Sequence, residues 1–340
     1  MEGVLGVVLA GVHHWDAGAF DRLLPRPLMP VAHAPLICHV LAWMRDAGVV
    51  RVTVCANASS RLVRRALGDG TWLHVDLHYY EDWTPRGPAG CVRDAGLDAA
   101  CDRLVVSEAT ILPDVDLQAL LEAHARSGAA VTVVAARERE RPNGGEPSLT
   151  PAGVYVFERD ALLHVGETGY QDIKEVLIPW LYERGVPVCV HAQPAPCPRV
   201  ADVASYLAIN GLAVERLTER PAAMGGYERV NGGFVHHSAQ VSSPERLIGP
   251  VLIGPETVVA ADVTIVGPAT IGAECVIDSS AVVCGSVLWD GCHVGREAVI
   301  DQSVLSQGVW VAPGRSVAQV AAGWPKRRRP NGQCERPGAA

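Results

Sequence analysis

Aliphatic side chains recur at every sixth position through the last third of the chain, from Val235 to Val283. The step shortens to five residues after Val283 and again after Ile300, and the spacing of six then resumes. This spacing fits neither an amphipathic helix nor a sheet of hairpins, because three such steps make one coil of a parallel β-helix whose inward side chains stack. The pattern therefore predicts a solenoid. Its inward positions are Val235, Val241, Leu247, Ile253, Val259, Ile265, Ile271, Ile277, Val283, Leu288, Val294, Ile300, Leu305, Val311 and Val317.

Glycines fall close to the expected corners of these coils, where the chain changes direction. A corner requires left-handed φ values, which glycine adopts without steric cost. We expect this role for Gly249, Gly254, Gly267, Gly272 and Gly295.

The first two thirds of the chain alternate short apolar runs with segments of helical spacing. Such alternation predicts an α/β fold in which helices cover a parallel sheet, with a ligand crevice at the carboxyl ends of the strands. The predicted strands are 4–9, 49–55, 104–106, 130–135, 153–157 and 186–191, and the predicted helices are 36–46, 117–125, 173–181 and 203–220.

The two patterns together predict two domains and a tail. We expect the α/β domain over residues 1–222 and the β-helix over residues 232–320. Residues 321–340 contain the run Lys-Arg-Arg-Arg at 326–329 among prolines and glycines, which is typical of a flexible, solvated tail.

Composition excludes several classes of protein. With 340 residues, 49% of them hydrophobic and 19% charged, the chain can bury two cores. A net charge of −8 argues against nucleic acid as the main partner. No apolar run is long enough for a membrane span, and no basic segment leads into an apolar run as in a signal peptide. Ten cysteines without a Cys-x-x-Cys pair indicate buried thiols rather than disulfides or zinc sites, so we expect a cytoplasmic protein.

Short motifs follow one another through the α/β part. They are LAG at 9–11, PRPLMPV at 25–31, GPAG at 87–90, ILPDVDL at 111–117, AGVYVF at 152–157 and SYLAIN at 205–210. In this order they resemble the signatures of the sugar-1-phosphate nucleotidyltransferases, the nucleotide-sugar pyrophosphorylases that include the mannose-1-phosphate guanylyltransferase group. The resemblance implies a Rossmann-like nucleotidyltransferase domain with a mixed sheet, followed by a left-handed parallel β-helix.

The resemblance also implies a reaction. A sugar-1-phosphate oxygen attacks the α-phosphate of a nucleoside triphosphate and expels pyrophosphate, so the site must neutralise phosphate charge and bridge the partners with magnesium. Members of the family use a glycine-rich loop, two lysines for the phosphates and two aspartates for the metal.

On the nucleotide side the family's fixed positions are changed. Arg26 stands where the family has a lysine between two prolines, which keeps the charge but replaces a compact ammonium with a planar fork. Trp15 and Asp16 add bulk and negative charge to the loop that should bind phosphate. Because these positions differ from those of the family, the sequence does not identify the catalytic residues. The resemblance implies nucleotide contacts from Ala10, Gly11, Arg26, Gly87, Ala89 and Gly90.

Both metal aspartates are replaced as well. Thr110 and Arg199 occupy their positions, and a guanidinium repels the cation that it should ligate. Glu108 and Asp202 are the fallback ligands. Glu108 lies two residues before Thr110, about 6.6 Å along a strand, and Asp202 also suits a helix cap. We therefore expect no cofactor, with Mg²⁺ only if the protein is active.

On the sugar side the resemblance implies contacts from Arg141, Gly153 and Arg199. Arg141 replaces the lysine of the family's Glu-Lys-Pro motif. Few residues separate it from the strand that ends near Ala136, so we expect the family's pair of sugar-covering strands to be missing.

These replacements favour a family member that kept the fold and lost most or all of the reaction. Such a homologue would serve in regulation or scaffolding and would bind a nucleotide sugar or sugar phosphate through Arg26, Arg141 and Arg199. One alternative is an active nucleotidyltransferase with a metal site built from Glu108 and Asp202. Another is an acyltransferase at the β-helix, for which the candidate bases are His236, His237 and His293.

Three tryptophans, Trp289, Trp310 and Trp324, stand out among the small residues of the repeat and the segment after it. Large apolar groups favour interfaces, and the terminal edge of a solenoid needs covering. We therefore expect a homo-oligomer or pairing with an active paralogue. Packing of the tryptophans against the chain's own tail or first domain remains open, as do the base and the sugar.

Overall fold

A computed structural model describes most of the chain. The described residues are 3–11, 24–56, 60–81, 85–137, 149–219 and 225–322. Contacts divide them into two compact units, the first made of residues up to 200 except 30–33, and the second of 30–33 and 201–322. The predicted domain limits, 1–222 and 232–320, stay a prediction, since compactness does not establish where a segment folds independently. Arg141 and residues 323–340 of the predicted tail lie outside the described residues.

Helices and strands alternate up to residue 219, in agreement with the sequence pattern. The strands are β1 (Val4–Leu9), β2 (Pro30–Val31), β3 (Ala34–Pro35), β4 (Arg51–Ala56), β5 (Asp76–Glu81), β6 (Arg103–Glu108), β7 (Val131–Arg137), β8 (Leu149–Glu158) and β9 (Val188–Gln193). The helices are α1 (Leu36–Asp46), α2 (Ser60–Leu67), α3 (Gly87–Asp98), α4 (Leu117–Ser127), α5 (Ile178–Glu183) and α6 (Val203–Glu219). A π-helical turn, Ile173–Leu177, leads into α5, and short 3₁₀ segments lie at Arg26–Leu28, Thr71–Leu73, Arg159–His164 and Pro244–Arg246.

A mixed sheet is the centre of the first unit, and its strand order among the described residues is β5-β4-β1-β6-β8-β7-β9. Only β8 is antiparallel to its neighbours, β6 and β7. One face packs on α1 and α4 through Leu41 and Leu120, and the other packs on α3 and α5 through Val92 and Leu181. The predicted α/β class and mixed sheet are confirmed. The sequence pattern missed β5, because most side chains of this edge strand stay partly exposed.

The second unit contains α6 and a stack of short strands. These are β10 (Tyr227–Val230), β11 (Gly233–His236), β12 (Gln240–Val241), β13 (Leu247–Ile248), β14 (Val251–Ile253), β15 (Val258–Val259), β16 (Thr264–Val266), β17 (Ala269–Ile271), β18 (Val276–Ile277), β19 (Val282–Cys284), β20 (Val287–Leu288), β21 (His293–Val294), β22 (Val299–Asp301), β23 (Val304–Leu305), β24 (Trp310–Val311), β25 (Ser316–Ala318) and β26 (Ala321–Ala322). They form three sheets of parallel neighbours, apart from the antiparallel pair of β10 and β11 at the start.

The register of these sheets confirms the predicted left-handed parallel β-helix. Val235 pairs with Ile253 and Ile253 with Ile271, so the first coils have 18 residues. Ile271 pairs with Leu288 and Leu288 with Leu305, so the later coils have 17. The shortened steps in the sequence are therefore one-residue deletions at coil corners, which leave the inward stack in register.

Of the five glycines predicted to have left-handed φ values at coil corners, Gly249 does, with a φ of +80°, and the other four do not. At Gly254 an added Cβ would lie 2.7 Å from the backbone of Gly272 in the next coil. Gly272, Gly267 and Gly295 are equally crowded by backbone atoms of a neighbouring coil. The left-handed corner positions are taken instead by residues such as Glu256, Asp262 and Glu274. Close approach between coils, rather than φ, requires most of these glycines.

The described part of the chain contains no helix with the length and apolar character needed to cross a membrane.

Candidate functional site

Several of the sequence-predicted residues meet at the carboxyl end of the central strands. Leu9 of β1 lies opposite Glu108 of β6 in a parallel ladder, and the amide of Ala10 donates to the carbonyl of Cys55 at 2.8 Å. Ala10 is buried, whereas Gly11 is exposed. The end of β1 therefore delivers the predicted Ala10-Gly11 pair to the edge of the sheet where Glu108 ends its strand, as expected for a crevice in an α/β sheet.

Glu108 is held by two cations from distant parts of the chain. Nη1 of Arg199 donates to Oε2 of Glu108, and Nζ of Lys174 donates to Oε1 at 3.0 Å. Arg199 is fixed in turn by a bridge to Ile111, and the amide of Val200 donates to the carbonyl of Thr110 at 3.0 Å. We call Glu108, Arg199 and Lys174 the ionic triad. The sequence reasoning identified two of its members and missed Lys174.

The ionic triad is partly shielded from solvent. The side chain of Glu108 is 19% exposed, while those of Arg199 and Lys174 are 37% and 39% exposed. Burial alone would raise the pKa of Glu108, but the hydrogen bond and charge of Arg199 and the charge of Lys174 hold the pKa below its ordinary value. Glu108 is therefore ionised, and the triad carries one net positive charge.

Gly153 lies directly beside this ion pair on β8. Its φ is +85°, and an added Cβ would lie 3.1 Å from Nη2 of Arg199 and 3.2 Å from Cδ of Glu108. A side chain at this position would therefore crowd both members of the Glu108–Arg199 ion pair. The predicted sugar-phosphate residues Gly153 and Arg199 are thus neighbours.

Tyr155 is a further member of this region that the sequence reasoning missed. Its side chain is fully buried, and its hydroxyl makes no hydrogen bond with the described residues. Burial raises the pKa of this hydroxyl, and the nearby charges acting on it are those of Glu108, Arg199 and Asp172. A buried hydroxyl without a partner costs about 1–3 kcal/mol, so Tyr155 has an unused donor on the strand that carries Gly153.

Thr110 and Arg199, which the resemblance placed at the family's metal positions, bring no carboxylate for a magnesium ion. Mg²⁺ takes oxygen ligands, whereas Arg199 brings a guanidinium and Lys174 an ammonium to the carboxylate of Glu108 at this edge. The carboxylate of Asp202 accepts from the amide and hydroxyl of Ser205 at 2.8 and 2.7 Å, at the start of α6. This is the capping role that its sequence context also predicted.

The predicted nucleotide loop at 87–90 forms the start of α3 and is covered by residues 166–171. The amide of Ala89 donates to the carbonyl of Gln171 at 2.9 Å, and the amide of Gln171 donates to the carbonyl of Arg86 at 2.7 Å. At Gly87, where φ is +71°, an added Cβ would lie 2.5 Å from that Gln171 carbonyl oxygen. Gln171 had no sequence signal, because the contact joins segments more than eighty residues apart.

Arg86 ties the covering segment to α3. Its buried guanidinium donates from Nε to Oδ2 of Asp94 at 3.2 Å and from Nη2 to the carbonyl of Gly166 at 3.0 Å. The hydroxyl of Tyr80 also donates to Asp94, at 2.7 Å. Burial would raise the pKa of Asp94, but hydrogen bonds from Arg86 and Tyr80 outweigh it and hold that pKa below its ordinary value.

Arg26 lies in the 3₁₀ segment Arg26–Leu28, and its Nη1 donates to the carbonyl of Val200 at 3.3 Å. Because Val200 follows Arg199 directly, Arg26 contacts the segment that carries one cation of the triad.

The histidines of the β-helix are paired within the solenoid. Nε2 of His293 lies 2.9 Å from Oδ2 of Asp278, and Nδ1 of His236 lies 2.9 Å from the hydroxyl of Ser238. The rings of His236 and His237 stack at 5.4 Å. Trp289 is buried against α6 through Tyr206, whereas Trp310 is exposed, and Trp324 lies outside the described residues.

Comparisons with known proteins agree with the order of the motifs. Residues 21–145 match the family model described as nucleotidyl transferase. The chain is 22% identical to a mannose-1-phosphate guanylyltransferase of Mycobacterium tuberculosis, over 87% of this chain and 82% of that protein. It is 25% identical to a glucose-1-phosphate thymidylyltransferase of Streptomyces griseus, over 74% of this chain and 78% of that protein.

A solved structure shares the fold. It is a Bacillus anthracis protein named as a candidate glucose-1-phosphate thymidylyltransferase and solved with sucrose, and it covers 62% of this chain and 95% of its own. Its TM-score is 0.55 and its identity 16%. With the ordered motifs, the mixed sheet and the β-helix, these matches confirm the predicted resemblance to the sugar-1-phosphate nucleotidyltransferases: the chain contains a nucleotidyl transferase domain.

Proposed function

We propose that this protein is a nucleotidyltransferase homologue that binds a nucleotide sugar or sugar phosphate and has lost most or all of the transfer reaction. The observation that carries the proposal is the ionic triad. Arg199 replaces a metal carboxylate of the family and engages Glu108, the fallback ligand, together with Lys174. Cations that hold a carboxylate in this way are suited to phosphate oxygens.

The loss of rate follows from the charges at the reacting centre. A metal ion supplies several kcal/mol of transition-state stabilisation, and each 1.36 kcal/mol changes the rate tenfold. With a guanidinium and an ammonium in place, phosphate charge can still be neutralised. The bridging of sugar phosphate and triphosphate by one divalent cation is what these residues do not provide.

The proposal extends to location and assembly. We propose a cytoplasmic protein that self-associates or pairs with an active paralogue. Trp310 supports the proposed assembly, since it is a large exposed side chain on the β-helix.

Two measurements on the full-length protein test the proposal. Calorimetric titration with a panel of nucleotide sugars should detect binding that Arg199→Gln weakens by at least about tenfold. Arg103→Gln is the matched control, because Arg103 lies at the opposite end of β6 and also pairs with a glutamate, Glu158 of β8. Pyrophosphate release from sugar-1-phosphates and nucleoside triphosphates with Mg²⁺ should stay at background.

Either measurement can overturn the proposal. Turnover by the unmodified protein at ordinary enzyme rates, about 1–10³ s⁻¹, together with its loss in Glu108→Gln, would establish an active enzyme with a relocated metal site. If the protein bound none of the nucleotide sugars and sugar phosphates, the proposed ligand class would be wrong. Acetyl-CoA turnover that depends on His293 would instead favour the acyltransferase alternative.

A further inference from the structure

We propose that Glu108 acts as an internal anion that occupies Arg199 and Lys174, so that a phosphate group must displace its carboxylate in order to bind there. This inference deepens the proposed function and rests on it, because it names the group that competes with the ligand at the same site. It assigns Lys174 to the phosphate-binding residues and gives Glu108 an inhibitory role.

The first support is geometric. Arg199 and Lys174 approach different oxygens of one carboxylate, Arg199 at Oε2 and Lys174 at Oε1. The three side chains come from separate elements, the end of β6, the turn before α5 and the segment after β9, so the convergence is not a local sequence effect. A carboxylate held between two cations occupies the position that a phosphate would take, because both groups offer oxygens to the same donors.

The second support is the exposure of the partners. The two cations are about twice as exposed as the carboxylate between them, at 37% and 39% against 19%. Both cations are therefore accessible to an anion from solvent while they hold Glu108. Gly153 keeps the neighbouring position free of a side chain.

The third support is the hydroxyl of Tyr155, which has no hydrogen-bond partner among the described residues. A phosphate has one more acceptor oxygen than a carboxylate, and this buried donor belongs to a residue two positions along β8 from Gly153, which borders the triad. A phosphate in place of Glu108 offers an acceptor for this third donor. The same residues would thus bind the incoming anion with more hydrogen bonds than they give to Glu108.

The test uses inorganic pyrophosphate, without Mg²⁺, as the probe for the full-length protein. We expect Glu108→Gln to bind it at least about tenfold more tightly than the unmodified protein, since a charge-assisted hydrogen bond to each cation becomes available. The matched control is Glu158→Gln, which removes the same charge from an ion pair with Arg103 on the same sheet and should leave the affinity within about twofold. The double variant Glu108→Gln with Lys174→Met should lose the gain.

A second variant allows the same test if Glu108→Gln does not fold. Glu108→Asp keeps the charge but draws the carboxylate back by one methylene, and we expect an intermediate gain in affinity. Equal affinity in the folded unmodified protein and both folded variants would overturn the inference, as would an equal gain in Glu158→Gln, which would indicate a general charge effect. Failure of the proposed function is distinguishable: the unmodified protein would then bind no nucleotide sugar, whatever Glu108→Gln does with pyrophosphate.

Discussion

The indole nitrogen of Trp289 donates a hydrogen bond to the hydroxyl of Tyr206, 3.0 Å away. That hydroxyl in turn donates to the carbonyl of Pro30, so one buried oxygen joins α6, the β-helix and residues 30–33. Burial raises the pKa of Tyr206, and the hydroxyl stays protonated as this donor role requires.

Tyr206→Phe should lower the free energy of unfolding by about 1–3 kcal/mol, because it leaves the buried Trp289 N–H without its acceptor and the Pro30 carbonyl without this donor. Urea denaturation measures the change. Tyr182→Phe is the control, since Tyr182 is exposed and should respond by less than about 0.5 kcal/mol. Equal effects of the two substitutions would contradict the reading of Tyr206 as a buried junction.

Gly153→Ala should destabilise the protein more than Gly169→Ala does. Both glycines have positive φ, +85° and +77°, so both variants bear a backbone penalty of about 1–2 kcal/mol. Only Gly153 has Glu108 and Arg199 within 3.1–3.3 Å of the new Cβ, whereas Gly169 has nothing within 4 Å. The difference between the two free energies of unfolding therefore measures the crowding of the ionic triad, and no difference would show that the triad relaxes freely.

His33 should make the second unit sensitive to acid. Its ring is partly buried, with Nδ1 2.9 Å from the hydroxyl of Tyr227 and Nε2 2.8 Å from the carbonyl of Ile271. Burial lowers the pKa of His33 from 6.5 to about 4, while the hydrogen bond to Ile271 and the charge of Asp290 oppose it. The unfolded chain therefore binds more protons between these two values, and stability is complete above pH 6.5 and falls as the pH drops toward 4.

The loss attributable to His33 should reach up to about 3 kcal/mol across that window. Denaturant midpoints between pH 4.5 and 7 give the measurement. His33→Asn is the comparison, because asparagine tolerates the φ of +70° at this position and carries no titrating group. If the variant showed the same pH dependence, another group would be responsible.

Neighbouring positions of β18 test the inward stack of the β-helix. Ile277 is fully buried and pairs with Val259 and Val294, whereas Val276 points outward and is partly exposed. Ile277→Ala should cost about 2–5 kcal/mol through the cavity it leaves, and Val276→Ala less than about 1 kcal/mol. Thermal or urea unfolding distinguishes them. Similar costs would argue against a tightly packed interior.

The sequence predicted the solenoid well because the inward side chains of its coils share one short period. The predicted helix over 36–46 is also confirmed, since its buried face follows helical spacing. Most of the candidate site could not be found in this way. Lys174 lies 66 residues from Glu108 and Arg199 lies 91 residues from it, and no local pattern records such contacts.

The sequence did contain an indication of one site residue that was missed, Tyr155. Tyr155 and Gly153 are two residues apart on β8, and strand geometry places such residues on the same face. The prediction of Gly153 could therefore have extended to Tyr155. By contrast, Asp172 and Lys174 suggest only an ordinary helix start, since Asp172 does accept from the amides of Lys174 and Glu175. The reach of the Lys174 ammonium to β6 depends on the folded sheet.

Gln171 and Lys174 belong to one short segment. Two residues separate Gln171, whose carbonyl accepts from the Ala89 amide, from Lys174, whose ammonium donates to Glu108. A ligand that accepts the hydrogen bond of the Ala89 amide would displace the Gln171 carbonyl. It would thereby shift the same backbone segment that positions Lys174. The binding energies of a ligand's two ends would then be coupled, as for neighbouring groups that share a support. Fragments carrying only a base or only a phosphate would give affinities whose free energies do not sum to that of the whole molecule.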